Sequence, residues 1–223
     1  MSLGSHIFAA IYDRFMAKTE KAGLQAQRQT LLASASGQVL EVGGGTGANL
    51  ACYGAAVESL TITEPEPPMI KRLQKRVGET SLLTQVLRAP AEDLPFNDDT
   101  FDTVVTTLVL CTVSDQPRAL REIRRVLRPG GRLLFIEHVR AEDPRLARRQ
   151  DRMNGINRVV GHGCNCNRPT LDVIEAAGFS ITDVEHSELQ KAPAFVRPLV
   201  IGTATVTALA RSTEDATPLT RSR

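Results

Sequence analysis

The chain has 223 residues, a formal net charge of +2 and a mean hydropathy of −0.13. With 42% hydrophobic and 23% charged residues it is composed like a single globular domain, and no apolar run nears the roughly 20 residues of a membrane span. Four cysteines are too few for a disulfide framework and suggest a reducing cytoplasm, while 4% aromatics and no Trp argue against a nucleic-acid stacking platform.

The first 35 residues read as a helical cap broken at Gly23, with Ile7, Ile11, Phe15, Leu24 and Leu31 at helical spacing. Asp13, Arg14, Lys18 and Glu20 rule out a signal peptide there. Gln38 to Val42 is a short buried strand that runs into Gly43-Gly44-Gly45-Thr46-Gly47, with a helix expected after the turn. A second strand covers 58–63, and Pro67 opens a helix that carries Met69, Ile70, Leu73 and Val77 on one face. Strands follow at 82–88 and 101–110; the second is almost continuously apolar, as a central parallel strand is. Asp115 and Pro117 start a helix that ends at Pro129-Gly130-Gly131, and a fifth strand runs from Arg132 to Glu137. Residues 140–168 are polar and Arg-rich, read as a helix plus an inserted lid loop. Pro169 to Ala177 is a helix, 181–185 and 200–209 pair as a terminal hairpin, and 211–223 form a tail. The alternation predicts one α/β domain over 1–210. Its core is a Rossmann-like doubly wound sheet of seven strands, mostly parallel with an antiparallel edge strand.

A glycine turn after a buried strand places backbone N–H groups against a ligand. Gly43, Gly45 and Ala48 fit a dinucleotide fingerprint, and Gly43, Gly45 and Gly47 fit the tighter pattern of S-adenosylmethionine enzymes, so the loop alone leaves a nicotinamide oxidoreductase open. Glu64 ends the second strand, where a carboxylate can take both ribose hydroxyls in either class. Further features separate the two. Glu41 is a charge at the end of a buried strand. Ala91-Glu92-Asp93-Leu94-Pro95-Phe96 precedes Asp99-Thr100-Phe101-Asp102, and Arg125 to Leu134 carries an Arg-Pro-Gly-Gly block.

With these motifs, residues 38–138 resemble the class I S-adenosylmethionine-dependent methyltransferases of the quinone and sterol branch. The resemblance implies that Gly43, Gly45, Thr46, Gly47 and Asn49 line the cofactor. Glu41 would hold its methionine end and Glu64 its ribose. Pro65, Met69, Ala91 and Glu92 would lie at the adenine, and Leu108 near the sulfonium. Pro90 stands where many relatives carry an adenine-binding Asp. A narrower set comprises Gly44 to Leu50 with Tyr53, Phe135-Ile136-Glu137-His138, Gly163-Cys164-Asn165-Cys166-Asn167-Arg168-Pro169-Thr170 and Ala194 to Pro198. It looks like the animal microsomal methyltransferase-like proteins that methylate small alkyl thiols, and like bacterial relatives. The implied partner is a small-molecule acceptor, first a thiol, with an amine, oxygen or quinone carbon as the other choices.

His138, at the carboxyl end of the sheet, is the first candidate for base or acceptor orienter, with Tyr12 from the N-terminal helix beside it. Phe15, Cys111, Cys164 and Asn165 are assigned to the acceptor pocket, roofed by 155–168. His162-Gly-Cys164-Asn-Cys166 lacks a fourth ligand at zinc spacing, so no metal is expected. Arg145, Arg148, Arg149 and Arg152 share a helical face, either solvated or facing an anionic partner such as a lipid surface. Nucleic acid and an integral membrane segment are excluded from the expected partners.

Overall fold

The computed structural model describes residues 3–207; the tail expected at 211–223 and the last residues of the expected terminal strand lie outside them. Strands β1 (Gly37–Val42), β2 (Val57–Thr63), β3 (Thr84–Leu87), β4 (Phe101–Thr107), β5 (Leu127–His138), β6 (Phe179–Glu188) and β7 (Pro198–Val206) form one sheet in the order β3-β2-β1-β4-β5-β7-β6. β1 to β5 pair in parallel, and β7 runs antiparallel to both β5 and β6. The antiparallel strand of the sheet is thus seated one place inside the edge, and β6 takes the edge itself.

Both faces are covered. Val104 of β4 belongs to a cluster with Leu40, Leu120, Ile123, Leu133, Phe135 and Ile174, while its neighbour Val105 joins Leu32, Val39, Leu60, Ile62, Leu73 and Leu134 on the other side. Successive side chains of a strand point to opposite faces, so an unbroken apolar run is what a sheet clad on both faces requires. α4 (Gln116–Val126) and α6 (Thr170–Ala176) clad the first face. α1 (Leu3–Thr19), α2 (Gln25–Leu32) and α3 (Pro67–Val77) clad the second. Asp115 accepts from Arg118 N at 3.0 Å to cap α4, and Asp143 accepts from Arg145 N at 3.0 Å to cap α5 (Pro144–Val160).

Four local expectations change. The strand expected to reach Leu110 stops at Thr107, because Leu108 adopts a left-handed φ of +59° and turns the chain. No α-helix follows the glycine turn. Only a single 3-10 turn, Leu50–Cys52, forms before Tyr53 goes extended and reaches back to Glu41. On α1 the inward face is Ala9, Tyr12, Met16 and Thr19, so Ile11 and Phe15 lie exposed. Residues 140–168 are a helix followed by a loop as expected, but the roof expected over 155–168 is helical as far as Val160, leaving a short loop at 161–169.

Two sequence motifs turn out to hold the frame. Arg125 donates to Glu122, Asp98 and the carbonyls of Leu94 and Phe96, tying down the segment before β4. Asp102 accepts from Arg128 and from Gln38 N at 2.8 Å, which fastens the start of β1 to β4 at the amino ends of the strands.

Candidate active site

The strand order reverses between β1 and β4, the switch point where open α/β sheets bind ligands beyond the strand carboxyl ends. The glycine turn follows β1 there. Gly44 N donates to Thr63 O at 3.0 Å and Gly47 N to Gly44 O at 2.9 Å, so the turn is laid over the end of β2. Side chains at Gly43 and Gly47 would strike Val109 and Leu73 at 2.6 and 2.9 Å. Gly45 differs. Its φ is +56°, and a Cβ built on it has nothing within 4 Å, so this glycine faces open space. The left-handed φ explains the glycine there, and the open space puts its backbone N–H within reach of a bound molecule.

Two carboxylates flank the turn. Glu64 is 6% exposed; it accepts from Gly45 N at 2.8 Å and from Glu66 N at 2.9 Å, and burial raises its pKa. Glu41 is 2% exposed and accepts from Tyr53 OH at 2.7 Å and Asn49 Nδ2 at 3.0 Å. Burial pushes it up to about 7, against the pull of those two bonds and of Arg28. Asn49 also receives Arg28 Nη1 at 2.8 Å on its amide oxygen and donates to Thr107 Oγ1 at 3.1 Å; Arg28 in turn pairs with Glu20 at 3.1 Å. The chain from Glu20 to Tyr53 therefore sets the orientation of Glu41.

Thr46 is buried and donates to Asp13 Oδ1 of α1 at 2.6 Å, while Arg76 of α3 holds Asp13 Oδ2 at 2.7 Å. The bracket seats α1 on the glycine turn. Tyr12, on the next position of α1, lines a cavity of about 30 Å³ with Arg28, Glu41, Gly43, Gly45, Thr46, Asn49 and Thr107. A larger open groove of about 530 Å³ lies on the other side of the turn, between Gly47 to Ala51 and the end of α3; it contains none of the strand-end carboxylates.

Of the residues expected at the adenine, Met69 is buried at the start of α3, Pro65 is exposed, and Ala91 is part of the core. Glu92 does not present a free carboxylate: its Oε1 accepts from Ser114 N at 2.7 Å and Asp115 N at 3.2 Å, bracing the turn before α4. Leu108 sits at the end of β4 as expected, in strained backbone, its N–H bonded to Ile136 O at 2.8 Å.

The acceptor candidates divide. Tyr12 is partly buried, its hydroxyl pushed up to about 12 by burial and close enough to Cys111 to feel its charge. Cys111, Cys164 and Cys166 form one buried cluster against Phe195 and Val196. His138 is 4% exposed, and burial lowers it to about 4, so its imidazole is neutral near pH 7. Phe15 is 65% exposed. Asn165 pins the loop, donating to Cys111 O through its backbone at 2.8 Å and to Gly163 O through its amide at 2.9 Å. His162 is exposed and lies outside the cysteine–histidine cluster. Arg145, Arg148, Arg149 and Arg152 are exposed on α5.

Four residues of the site escaped the sequence reading. Asp13, Glu20 and Arg28 look like ordinary charges on amphipathic helices. Glu137, wholly buried at the end of β5, accepts from Val109 N at 3.1 Å and fixes the turn after Leu108; burial pushes it up to about 7. A carboxylate in an apolar strand is the signal that could have found it.

Residues 40–135 match a family described as a methyltransferase domain. Human thiol S-methyltransferase TMT1A is 34% identical over 199 residues, covering 87% of this chain and 81% of its own. Human thiol S-methyltransferase TMT1B is 39% identical over 161 residues, covering 70% and 66%. Among solved structures, an S-adenosylmethionine-dependent methyltransferase of Thermotoga maritima aligns with a TM-score of 0.65 at 24% identity, covering 89% of this chain and 96% of that one, a likeness of fold. Among the described residues, no helix is long and apolar enough to cross a membrane.

Proposed function

The chain belongs to the S-adenosylmethionine-dependent methyltransferases, and from that premise we propose that it methylates a small molecule through a thiol sulfur. The residues present fit the cofactor: the cradle above Gly45 is open, and two buried carboxylates stand beside it. In this reading Gly43, Gly45, Gly47 and Asn49 line the cofactor, Glu41 faces its cationic methionine end, Glu64 its ribose, and Met69 the adenine. The bound cofactor supplies an electrophilic methyl group on a sulfonium.

What carries the thiol assignment is the absence of an available strong base among the described residues at the acceptor side. His138 is buried and weakly basic, and the hydroxyl of Tyr12 stays protonated. Glu41 is buried and bonded at both oxygens, and Glu137 is wholly buried, with Oε1 held by Val109 N and Oε2 unpartnered. A phenol or carbon acceptor would need a firmer base. A thiol, with a pKa near 8.5, reaches its reactive thiolate with little help. The protein's share is then to position the acceptor against the turn after β4 and to exclude water under α1. The name borne by the two human relatives points the same way.

The test is turnover of S-adenosylmethionine with matched small alkyl thiols, amines, phenols and quinols. Thiol-dependent release of S-adenosylhomocysteine, rising with pH toward the thiol pKa, is expected. Transfer to an amine or a carbon acceptor with none to any thiol would refute the assignment. A weak contact with anionic lipid is the further role supported on α5, where the arginine face continues into exposed Ile156, Val159 and Val160. Flotation with anionic but not neutral vesicles is its check.

A further inference from the structure

Three segments distant in sequence meet beneath the acceptor side. Cys111 follows β4, His138 ends β5, and Cys164 lies in the loop after α5. Their ligand atoms all lie within 4.8 Å of one another, and the three residues are 1%, 4% and 8% exposed. The His138 Nδ1 is buried with no hydrogen-bond partner. A buried ring nitrogen left unpaired is costly unless something not yet counted satisfies it.

Each of these residues is held by its own backbone carbonyl. Asn165 donates to Cys111 O from its backbone at 2.8 Å and from its amide at 3.3 Å. Asn157 donates to Cys164 O at 2.9 Å, and Thr170 to His138 O at 3.0 Å. These bonds fix the three segments, and the His138 ring itself is bonded to the backbone of Val196 and Pro198, the kind of outer contact that orients a metal-ligating imidazole.

We propose that Cys111, His138 and Cys164 bind one zinc ion, a Cys₂His set with the fourth position left to a non-protein ligand. Zinc bonds of about 2.3 Å to sulfur and about 2.0 Å to nitrogen place tetrahedral ligand atoms roughly 3.5–3.8 Å apart. The cluster therefore has to close by no more than about 1 Å to meet that geometry. Two thiolates, a neutral imidazole and a divalent cation sum to no net charge, which suits a buried position. The two thiols release their protons to solvent as the metal enters, and no electron changes hands. The contiguous pattern around His162 does not show this site, because its ligands come from three separate stretches and His162 is not among them.

The experiment is metal loading of the full chain, reduced and stripped with chelator. Zinc is titrated against a chromophoric chelator, and cobalt(II) is added separately and followed by absorbance. One zinc per chain and a cobalt spectrum with thiolate charge-transfer and tetrahedral bands are expected. Cys111→Ser, Cys164→Ser and His138→Ala should each weaken zinc by more than the 10–100-fold that loss of an outer hydrogen bond costs. Cys52→Ser, on another part of the core, should leave the stoichiometry at one. No stoichiometric zinc, or cobalt bound without sulfur bands, would overturn the proposal. So would a Cys111–Cys164 disulfide that forms in air equally with and without zinc. The cobalt spectrum of the unaltered protein needs no variant, so a substitution that fails to fold leaves the test decisive. No acceptor is involved, so the zinc result stands apart from the outcome for thiol methylation.

Discussion

Replacing Glu41 with glutamine should make the protein more stable in base and worse at holding its cofactor. Glu41 is 2% exposed, and burial raises its pKa from 4.5 to about 7. At 1.36 kcal/mol per unit, that difference is worth about 3 kcal/mol once the group is fully ionised. A carboxyl whose folded pKa is raised contributes stability that is fully present below about 4.5 and lost as pH rises through about 7. The wild type therefore carries the cost of a buried carboxylate at pH 8 and is spared it at pH 5. The glutamine of the Glu41→Gln variant would not titrate. Its amide oxygen can accept from Asn49, and its NH₂ can donate to the Tyr53 oxygen, so the packing cost is small and nearly the same at both pH values. At pH 5 the unfolded carboxyl is already mostly ionised, so the stability difference between variant and wild type should move by about 2.5 kcal/mol in favour of the variant between pH 5 and pH 8. In a chain of this size that is roughly 5–10 °C in the relative melting temperatures. Glu137 titrates in the same range, but it is present in both proteins and cancels. Thermal unfolding at the two pH values, with calorimetric titration of S-adenosylhomocysteine at pH 8, reads both effects. If the difference in melting temperature does not change with pH, the Arg28–Asn49 network holds Glu41 ionised at no cost, and the reasoning from burial fails.

Two other substitutions probe the cofactor cradle. Gly45→Val should abolish binding of S-adenosylhomocysteine, because the side chain enters the open space above the turn and opposes a φ of +56°; a folded variant that keeps micromolar affinity would show that this space is not the cofactor's. Glu64→Ala should weaken cofactor binding by about 1.5–3 kcal/mol, the range for hydrogen bonds to a charged group, and a calorimetric change of only a few tenths would mean that the ribose is held elsewhere.

The frame was legible in the sequence where local pattern and tertiary role coincide. A continuous apolar β4, the Pro-initiated helices and the glycine turn each announce themselves within a few residues. The parts that were not legible depend on contacts between distant segments. Arg28 looks like a solvent-facing charge on α2, yet it is 3% exposed because Glu20 and Asn49 take its guanidinium inward. Phe15 has the periodicity of a buried residue and is exposed, since the register of α1 is set by Tyr12 and Met16 packing and by the Asp13 bracket. The helix expected after the glycines fails because Tyr53 leaves helical backbone to reach Glu41, a bond that local propensity does not weigh. Cys111, His138 and Cys164 were each placed on the acceptor side, but the convergence of their ligand atoms was not legible, because spacing rules see neighbours along the chain and these three are neighbours only through the sheet.

The Asp13 bracket also bears on how the enzyme is filled and emptied. The cavity between Tyr12 and the glycine turn, about 30 Å³, has room for two or three water molecules at about 10–15 Å³ each. Tyr12 of α1 borders that cavity directly, so the seating of α1 sets the space beside Glu41 and Gly45. Any lift of α1 from the glycine turn would break the hydrogen bonds that Asp13 makes to Thr46 and Arg76. The Asp13–Arg76 ion pair is more than a third exposed on both partners, so salt screens it. The hold of α1 on the glycine turn should therefore loosen as the solution grows more concentrated in salt.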